Sequence, residues 1–310
     1  MFHKSKRKTI ESLGEFGLIR EIKKWVPRSR SIRQGIGDDA AVFSASGRRY
    51  QLLTIDTLVE GIDFRRSQAK PQAIGWKALA INLSDIAAMG GIPKVAVISL
   101  TLPSRTPLAF VHGFYEGVRR LAERFHVSIV GGDLSRGPKV SSSIAVLGEA
   151  ERKRTVFRRG AKIGDLVCVT GRLGGSILGK HLNFVPRLRE GQFLAKYGAS
   201  AMIDLSDGLW QDLGHLVLSS HMAFMVDWQK IPVASSAYRL AGGNREKALA
   251  HALYDGEDFE LLFTIAPARF RTLRKVWAQR FSVSLTAIGQ VVRGKRIWSR
   301  ERKGLGFQHF

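Results

Sequence analysis

The period of the hydrophobic positions changes several times along the chain, and each change marks an element. Residues 11–26 (ESLGEFGLIREIKKWV) place Phe16, Ile19, Ile22, Trp25 and Val26 at helical spacing, which predicts a short helix ended before Pro27. Residues 50–61 (YQLLTIDTLVEG) have the branched and aromatic content of a strand. Residues 75–91 (GWKALAINLSDIAAMGG) read as a helix with small residues on its packing face, closed by Gly90 and Gly91. A buried strand is predicted over 94–103 (KVAVISLTLP), then a helix from Pro107 to about Phe125, then strands over 127–133 (VSIVGGD) and 141–150 (SSSIAVLGEA).

The stretch 148–165 (GEAERKRTVFRRGAKIGD) is polar, charged and glycine-containing, which puts a domain boundary near residue 150 and divides the chain into 1–150 and 151–310. Beyond it, DLVCVTG (165–171) is a predicted strand and GGSILGKHL begins a helix. Residues 200–220 form a turn feeding a helix, residues 253–265 a turn feeding a strand, and the Arg- and Lys-rich tail after Pro267 alternates helix and strand.

Length and composition change this picture little. A chain of 310 residues with 45% hydrophobic content suits two ordinary domains with self-sufficient cores. No apolar run approaches the ~20 residues of a membrane span. The basic start MFHKSKRKTI lacks the apolar stretch of a signal peptide, so a soluble cytoplasmic protein is expected. The one cysteine, Cys168, excludes an intrachain disulfide and a four-thiolate zinc site and reads as a buried strand residue.

Charge adds more. The net charge of +23 attracts polyanions, whether polyphosphate substrates or nucleic acid. The basic residues are scattered, without the repeated aromatic and basic pattern of a single-strand groove. A solvated basic surface that steers substrate is therefore preferred, with nucleic-acid contact kept open.

Two glycine-rich stretches imitate nucleotide loops. GIGDDAAVF (35–43) passes a loose dinucleotide fingerprint, but it lies between RSIRQ, no buried strand, and a strand-like segment, and its two aspartates would repel a pyrophosphate. GGSILGKH (174–181) satisfies G-x-x-x-x-G-K, yet His181 stands where a hydroxyl must reach Mg²⁺, so a glycine-rich helix start is preferred. The acids carry more information. Asp38, Asp39, Asp56, Asp85, Asp133, Asp204, Asp207, Asp255, Glu257 and Asp258 lie at strand ends and turns, many of them beside Gly or Ser, where carboxylates suit Mg²⁺. A single Asp-Gly turn more often caps itself; several in one chain favour a metal.

In order along the chain, GEFGLI, GIGDDAAV, DTLVEGIDF, WKALAINLSDIAAMGGIP, GGDLSRGP, RRGAKIGD, VTGRLGGS, IDLSDGL, GEDFELLFT, IGQV and GFQHF resemble the thiamine-monophosphate kinase family, of the superfamily that includes aminoimidazole ribonucleotide synthetase. The resemblance implies an α+β, two-domain fold of the aminoimidazole ribonucleotide synthetase type: an N-terminal mixed α/β domain that forms a homodimer, and a C-terminal α/β domain that completes the active site. It implies ATP-dependent phosphorylation of thiamine monophosphate to thiamine diphosphate, with ATP as co-substrate and several Mg²⁺ ions. By motif position, Asp39, Thr54, Asp56, Asp85, Asp133, Asp204 and Asp207 would hold Mg²⁺; Tyr115, Gly132, Asp133, Arg158 and Ser206 would contact ATP; Asp63, Glu257 and Phe307 would lie at the substrate. No Ser-His-Asp set is expected, because the acceptor is already an anionic oxygen and the catalytic work is positioning and electrostatics.

Three positions depart from the pattern. Asp63 stands in place of a histidine, Asp255 in place of a glycine, and Ile55 where a hydroxyl residue is common. The two acids add negative charge where the acceptor would bind. A related kinase or synthetase with another acceptor, and an inactive basic nucleic-acid-binding homologue, therefore remain alternatives.

Overall fold

The computed structural model describes residues 10–27, 31–44, 47–294 and 296–299. The chain runs α1 (Ile10–Trp25), β1 (Ile32–Gln34), β2 (Ala41–Ser44), β3 (Arg49–Val59), α2 (Pro71–Ala88), β4 (Ile92–Leu102), α3 (Leu108–Phe125), β5 (Ser128–Arg136) and β6 (Ser141–Glu151). It continues through β7 (Leu166–Thr170), α4 (Lys180–Asn183), α5 (Leu188–Tyr197), β8 (Ala199–Asp204), α6 (Leu209–Ser220), β9 (Ala223–Val226), α7 (Ser235–Leu240) and α8 (Arg245–Tyr254). Last come β10 (Leu261–Ile265), α9 (Pro267–Arg280), β11 (Leu285–Val292) and β12 (Ile297–Ser299).

Among the described residues the strands form two six-stranded sheets, ordered β1-β2-β3-β6-β4-β5 and β12-β9-β11-β7-β10-β8. Both are antiparallel except for the parallel pairs β4–β5 and β9–β12. In β3 the alternation of period two turns Leu52, Thr54 and Leu58 inward and leaves Leu53, Ile55 and Thr57 exposed. The outward face is apolar: Leu53, Ile55 and Val97 are exposed, and so are Val130 and Leu134 of the edge strand β5.

Helix α2 organises the interior. It begins at Pro71, whose fixed φ suits a first helical turn, and is apolar nearly all round, as a helix enclosed by protein must be. Its neighbours approach closely because glycine stands at each contact: a Cβ on Gly75 of α2 itself would lie 1.9 Å from the Phe114 carbonyl oxygen, one on Gly117 1.9 Å from that of Gln72, and one on Gly191 2.1 Å from that of Ala87. Helices α3 and α5 thereby grip α2 from opposite ends. One core cluster spans the two sheets, with Leu52 and Ile98 of the first in the same cluster as Phe263 and Ile265 of the second.

One predicted element shrinks. GGSILGKHL forms a single 3₁₀ turn at Ser176–Leu178 and the four-residue α4 rather than a proper helix start. Gly174, Gly175 and Gly179 all take positive φ (90°, 71° and 124°), a backbone that interrupts a helix.

Candidate active site

The carboxylates converge because α2 crosses between the two sheets. Asp85, two turns along α2 from Lys77, meets Asp39 from the turn before β2 and Asp204 from the end of β8; one oxygen from each lies within 4.8 Å of the others. Each is oriented by a neighbour. The Thr54 hydroxyl donates to Asp85 Oδ2, the Ser84 hydroxyl donates to Asp204 Oδ2 (2.6 Å), and Arg158 donates to Asp39 Oδ1 through Nε (3.1 Å) and Nη2 (2.7 Å). Asp38 is turned aside, its Oδ1 accepting the backbone N–H groups of Asp39 and Arg158 (both 3.2 Å).

The electrostatics are those of an unneutralised anionic site. Burial, then the neighbouring charges of Asp56, Asp204 and Asp39, pushes the Asp85 carboxyl well above its usual range. Burial and then Asp39 raise Asp204 to about 7. Burial also raises Asp56. At the rim, the hydrogen bond from His215 and then that from Gln211 hold Asp207 below its usual value.

These groups face a cleft of about 980 Å³. Its walls include Thr54, Asp56, Asp63, Arg158, Ser206, Asp207 and Glu257, together with Glu15, Ile19 and Lys23 of α1. Asp39 Oδ2 is buried with no hydrogen-bond partner among the described residues. An orphaned carboxylate oxygen costs free energy unless something meets it. An all-oxygen donor set with an unpartnered carboxylate oxygen suits a hard divalent cation such as Mg²⁺.

Proton linkage follows from the raised pKa of Asp204. Because burial raises it from 3.8 to about 7, the folded chain binds more protons than the unfolded one across that window. The contribution of Asp204 to stability therefore falls as pH rises from about 4 to 7. A cation bound here would displace these protons, so its apparent affinity should rise as pH increases from about 6 to 8. Calorimetric Mg²⁺ titrations in buffers of different ionisation enthalpy, showing proton release at pH 6.5 but little at pH 8.5, would bear this out; a pH-independent affinity would count against it.

The phosphate-loop look-alike is occupied by the protein itself. The Gly174 N–H donates to Asp258 Oδ2 (2.8 Å), the Gly175 N–H donates to Asp255 Oδ2 (3.1 Å), and the Ser176 hydroxyl donates to the Gly256 carbonyl (2.9 Å). Carboxylates of the 255–258 turn thus take the donors a phosphate would need. Asp255 is also paired with His251 Nδ1 (2.9 Å), so its charge is engaged away from the cleft. Asp63 Oδ2 accepts the Val59 N–H (2.7 Å) and fastens the turn after β3, although the residue still lines the cleft.

A family model for the AIR synthase related protein N-terminal domain matches residues 37–150. A thiamine-monophosphate kinase from Rhodopirellula baltica is 39% identical over 286 residues, covering 88% of this chain and 89% of that protein. The chain belongs to the thiamine-monophosphate kinase family. The thiamine-monophosphate kinase of Aquifex aeolicus is 35% identical over 323 residues, 97% of this chain and 99% of that one. The solved structure of AaThiL complexed with AMPPCP and TMP matches with a TM-score of 0.86 and 34% identity, over 99% of this chain and 100% of that chain. Membership makes this chain an enzyme, a thiamine-phosphate kinase, with the mixed α/β fold of the family.

Most residues marked by motif position gather in this one cleft. Three do not. Gly132 and Asp133 are exposed on β5, where the register Thr57–Ser143–Ser99–Asp133 places Asp133 three strands from Thr57, about 14 Å at the usual strand spacing. Tyr115 lies on the exposed face of α3 in a separate groove with Leu108 and His112. Phe307 lies outside the described residues.

The sequence reading missed Lys77, Ser84, Asp212 and His215. Lys77 had a signal: it is the one charge between Trp76 and Ser84, inside an otherwise apolar helix. Asp212 and His215, one turn apart on α6, lie against Asp207 in the turn before that helix, with carboxylate and imidazole atoms within 4.8 Å of one another.

Proposed function

We propose that this chain transfers the γ-phosphoryl group of ATP directly and in line to the phosphate of thiamine monophosphate, giving thiamine diphosphate and ADP. The observation that carries the reading is the set Asp39, Asp85 and Asp204, brought onto one large cleft from the turn before β2, from α2 and from the end of β8. The relative named for AMPPCP and TMP supports the same pair of substrates.

Mg²⁺ would be held by Asp39, Asp85 and Asp204, with Thr54, Asp56 and Asp207 close by, and would supply neutralisation of the charge that two polyanions bring together. The chain's own residues do the rest. Arg158 fixes Asp39 and adds positive charge beside the phosphates, Ser206 contributes a hydroxyl at the cleft wall, and Asp63 and Glu257 sit where the cationic acceptor would lie. The acceptor oxygen is anionic before transfer, so the site needs no general base; holding donor and acceptor in line is the larger task.

The reading includes two domains, 1–150 and 151–310, and a homodimer. The exposed apolar face of the first sheet supports pairing of two copies, since an apolar sheet face of this kind is costly to leave in water. Gly132 and Asp133 would then lie at the interface. A cytoplasmic location accords with a biosynthetic kinase, and no helix among the described residues is long and apolar enough to cross a membrane.

The test is product identification. Purified protein with ATP, Mg²⁺ and a panel of phosphorylated acceptors should convert thiamine monophosphate to thiamine diphosphate in preference to the others. Absence of turnover with every acceptor, together with steeply salt-dependent binding to RNA or DNA, would replace the reading with a nucleic-acid-binding one.

A further inference from the structure

Lys77 is fully buried, at 0% exposure, in the middle of α2. Its ammonium donates to Glu257 Oε1 (2.5 Å) and to the Asp63 carbonyl (3.1 Å). Both partners line the cleft and come from opposite halves of the chain, Asp63 from the turn after β3 and Glu257 from the turn before β10. The lysine thus stands behind the cleft wall and ties its two sides together.

The turn that carries Glu257 is fixed by every contact except that side chain. The Glu257 N–H donates to the Ser206 carbonyl (2.7 Å) and the Phe259 N–H donates to that of Leu205 (2.8 Å). Asp255, Gly256 and Asp258 are held by the glycine loop described above. Glu257 and Phe259 both adopt left-handed backbone, φ 53° and 48°, and the Phe259 ring stacks on Phe184 at 4.0 Å between centroids. Left-handed non-glycine residues persist only where the surroundings impose them, and they cluster at ligand clamps. The backbone therefore aims Glu257 at the cleft, and Lys77 decides where its carboxylate rests.

A buried Lys–Glu pair is weak as a stabiliser, because an apolar pair of similar volume often serves as well. Its distinct capacity is to place a charge. An unheld Glu257 could swing toward the aspartates and compete for their cation; with Oε1 held by Lys77, Oε2 remains to accept from a ligand.

Resting on the reading of this cleft as a thiamine-phosphate kinase site, we propose that Lys77 is a positioning residue for the acceptor, holding the Glu257 carboxylate so that it selects a substrate that carries a cationic heteroaromatic ring and an N–H donor. Lys77 acts through Glu257 and touches no phosphate.

The experiment is a double-mutant cycle on full-length protein, with KM for thiamine monophosphate and for ATP measured separately. Wild-type turnover of thiamine monophosphate comes first; its absence would count against the functional reading, whereas the cycle addresses Lys77. Lys77→Met should raise the acceptor KM about tenfold, as expected for losing a charged hydrogen bond, and leave the ATP KM within about twofold. In a Glu257→Gln background, Lys77→Met should add no further increase. An unchanged acceptor KM, a parallel rise in both KM values, or an equal effect of Lys77→Met in both backgrounds would overturn the proposal. Should Lys77→Met alone fail to fold, the Lys77→Met/Glu257→Gln protein, which leaves no unpaired buried charge, is compared with Glu257→Gln: equal acceptor KM values support the proposal and a further rise contradicts it.

Discussion

Asp85→Asn is expected to lower turnover by about 10³-fold while leaving the chain folded, a loss of the size seen when one group of a preorganised electrostatic site is removed. The amide keeps the volume of Asp85 and an oxygen to accept from Thr54, so the packing of α2 survives. What disappears is one of the three charges that would hold a cation, at the position Asp39 and Asp204 also face. The same substitution should raise the melting temperature measured without Mg²⁺, because it removes a buried carboxylate that its acidic neighbours disfavour. Added Mg²⁺ should then stabilise the variant much less than the wild type. Near-normal turnover, or a lower melting temperature in the absence of metal, would discredit the assignment of Asp85 to a cation site.

The largest effect on stability is expected at the crossing of α2 and α3. A Cβ on Gly75 would sit 1.9 Å from the Phe114 carbonyl oxygen, a backbone atom that can move only with its helix. Gly75→Ala should therefore cost about 3 kcal/mol in denaturant unfolding, at the upper end for overpacking. Gly214 in α6 is the control, since nothing lies within 4 Å of the corresponding position. Gly214→Ala should stabilise by about 0.5–1 kcal/mol through helix propensity and unfolded-state entropy. Similar costs at the two sites would mean that close approach of backbones is not what seats α2. Because α2 carries both Lys77 and Asp85, Gly75→Ala should also lower turnover among the molecules that remain folded.

Much of this was legible in the sequence, for reasons that differ from residue to residue. The helix of 75–91 and the strand of 141–150 could be read from period and punctuation, and they appear as α2 and β6. Asp39 and Asp85 could be read because each stands beside Ser or another Asp, and Asp204 because it opens the run IDLSDG, in a chain with only 26 acids. Their convergence could not, since it depends on α2 passing between two sheets, and that passage depends on glycines whose spacing has no meaning until the partner helix is known. The concern that Asp63 and Asp255 would repel the acceptor arose from counting charges without partners. The Val59 N–H accounts for one oxygen of Asp63, and Gly175 with His251 engages Asp255. Lys77 shows the converse: a lone lysine in an apolar helix reads as an exception to the pattern, whereas its partners, 14 residues before and 180 residues after it, are visible only in three dimensions. The separation of Asp133 from the cleft within one chain likewise lies in the strand order, in which β6 and β4 stand between β3 and β5.

Asp39, Asp85 and Asp204 are proposed to hold a divalent cation besides the one that accompanies ATP. This is tested most directly by the initial rate of thiamine diphosphate formation at fixed ATP as Mg²⁺ is raised past the ATP concentration. The rate is expected to keep climbing, with upward curvature, well after all ATP is complexed. A rate that saturates once Mg²⁺ equals ATP would contradict it.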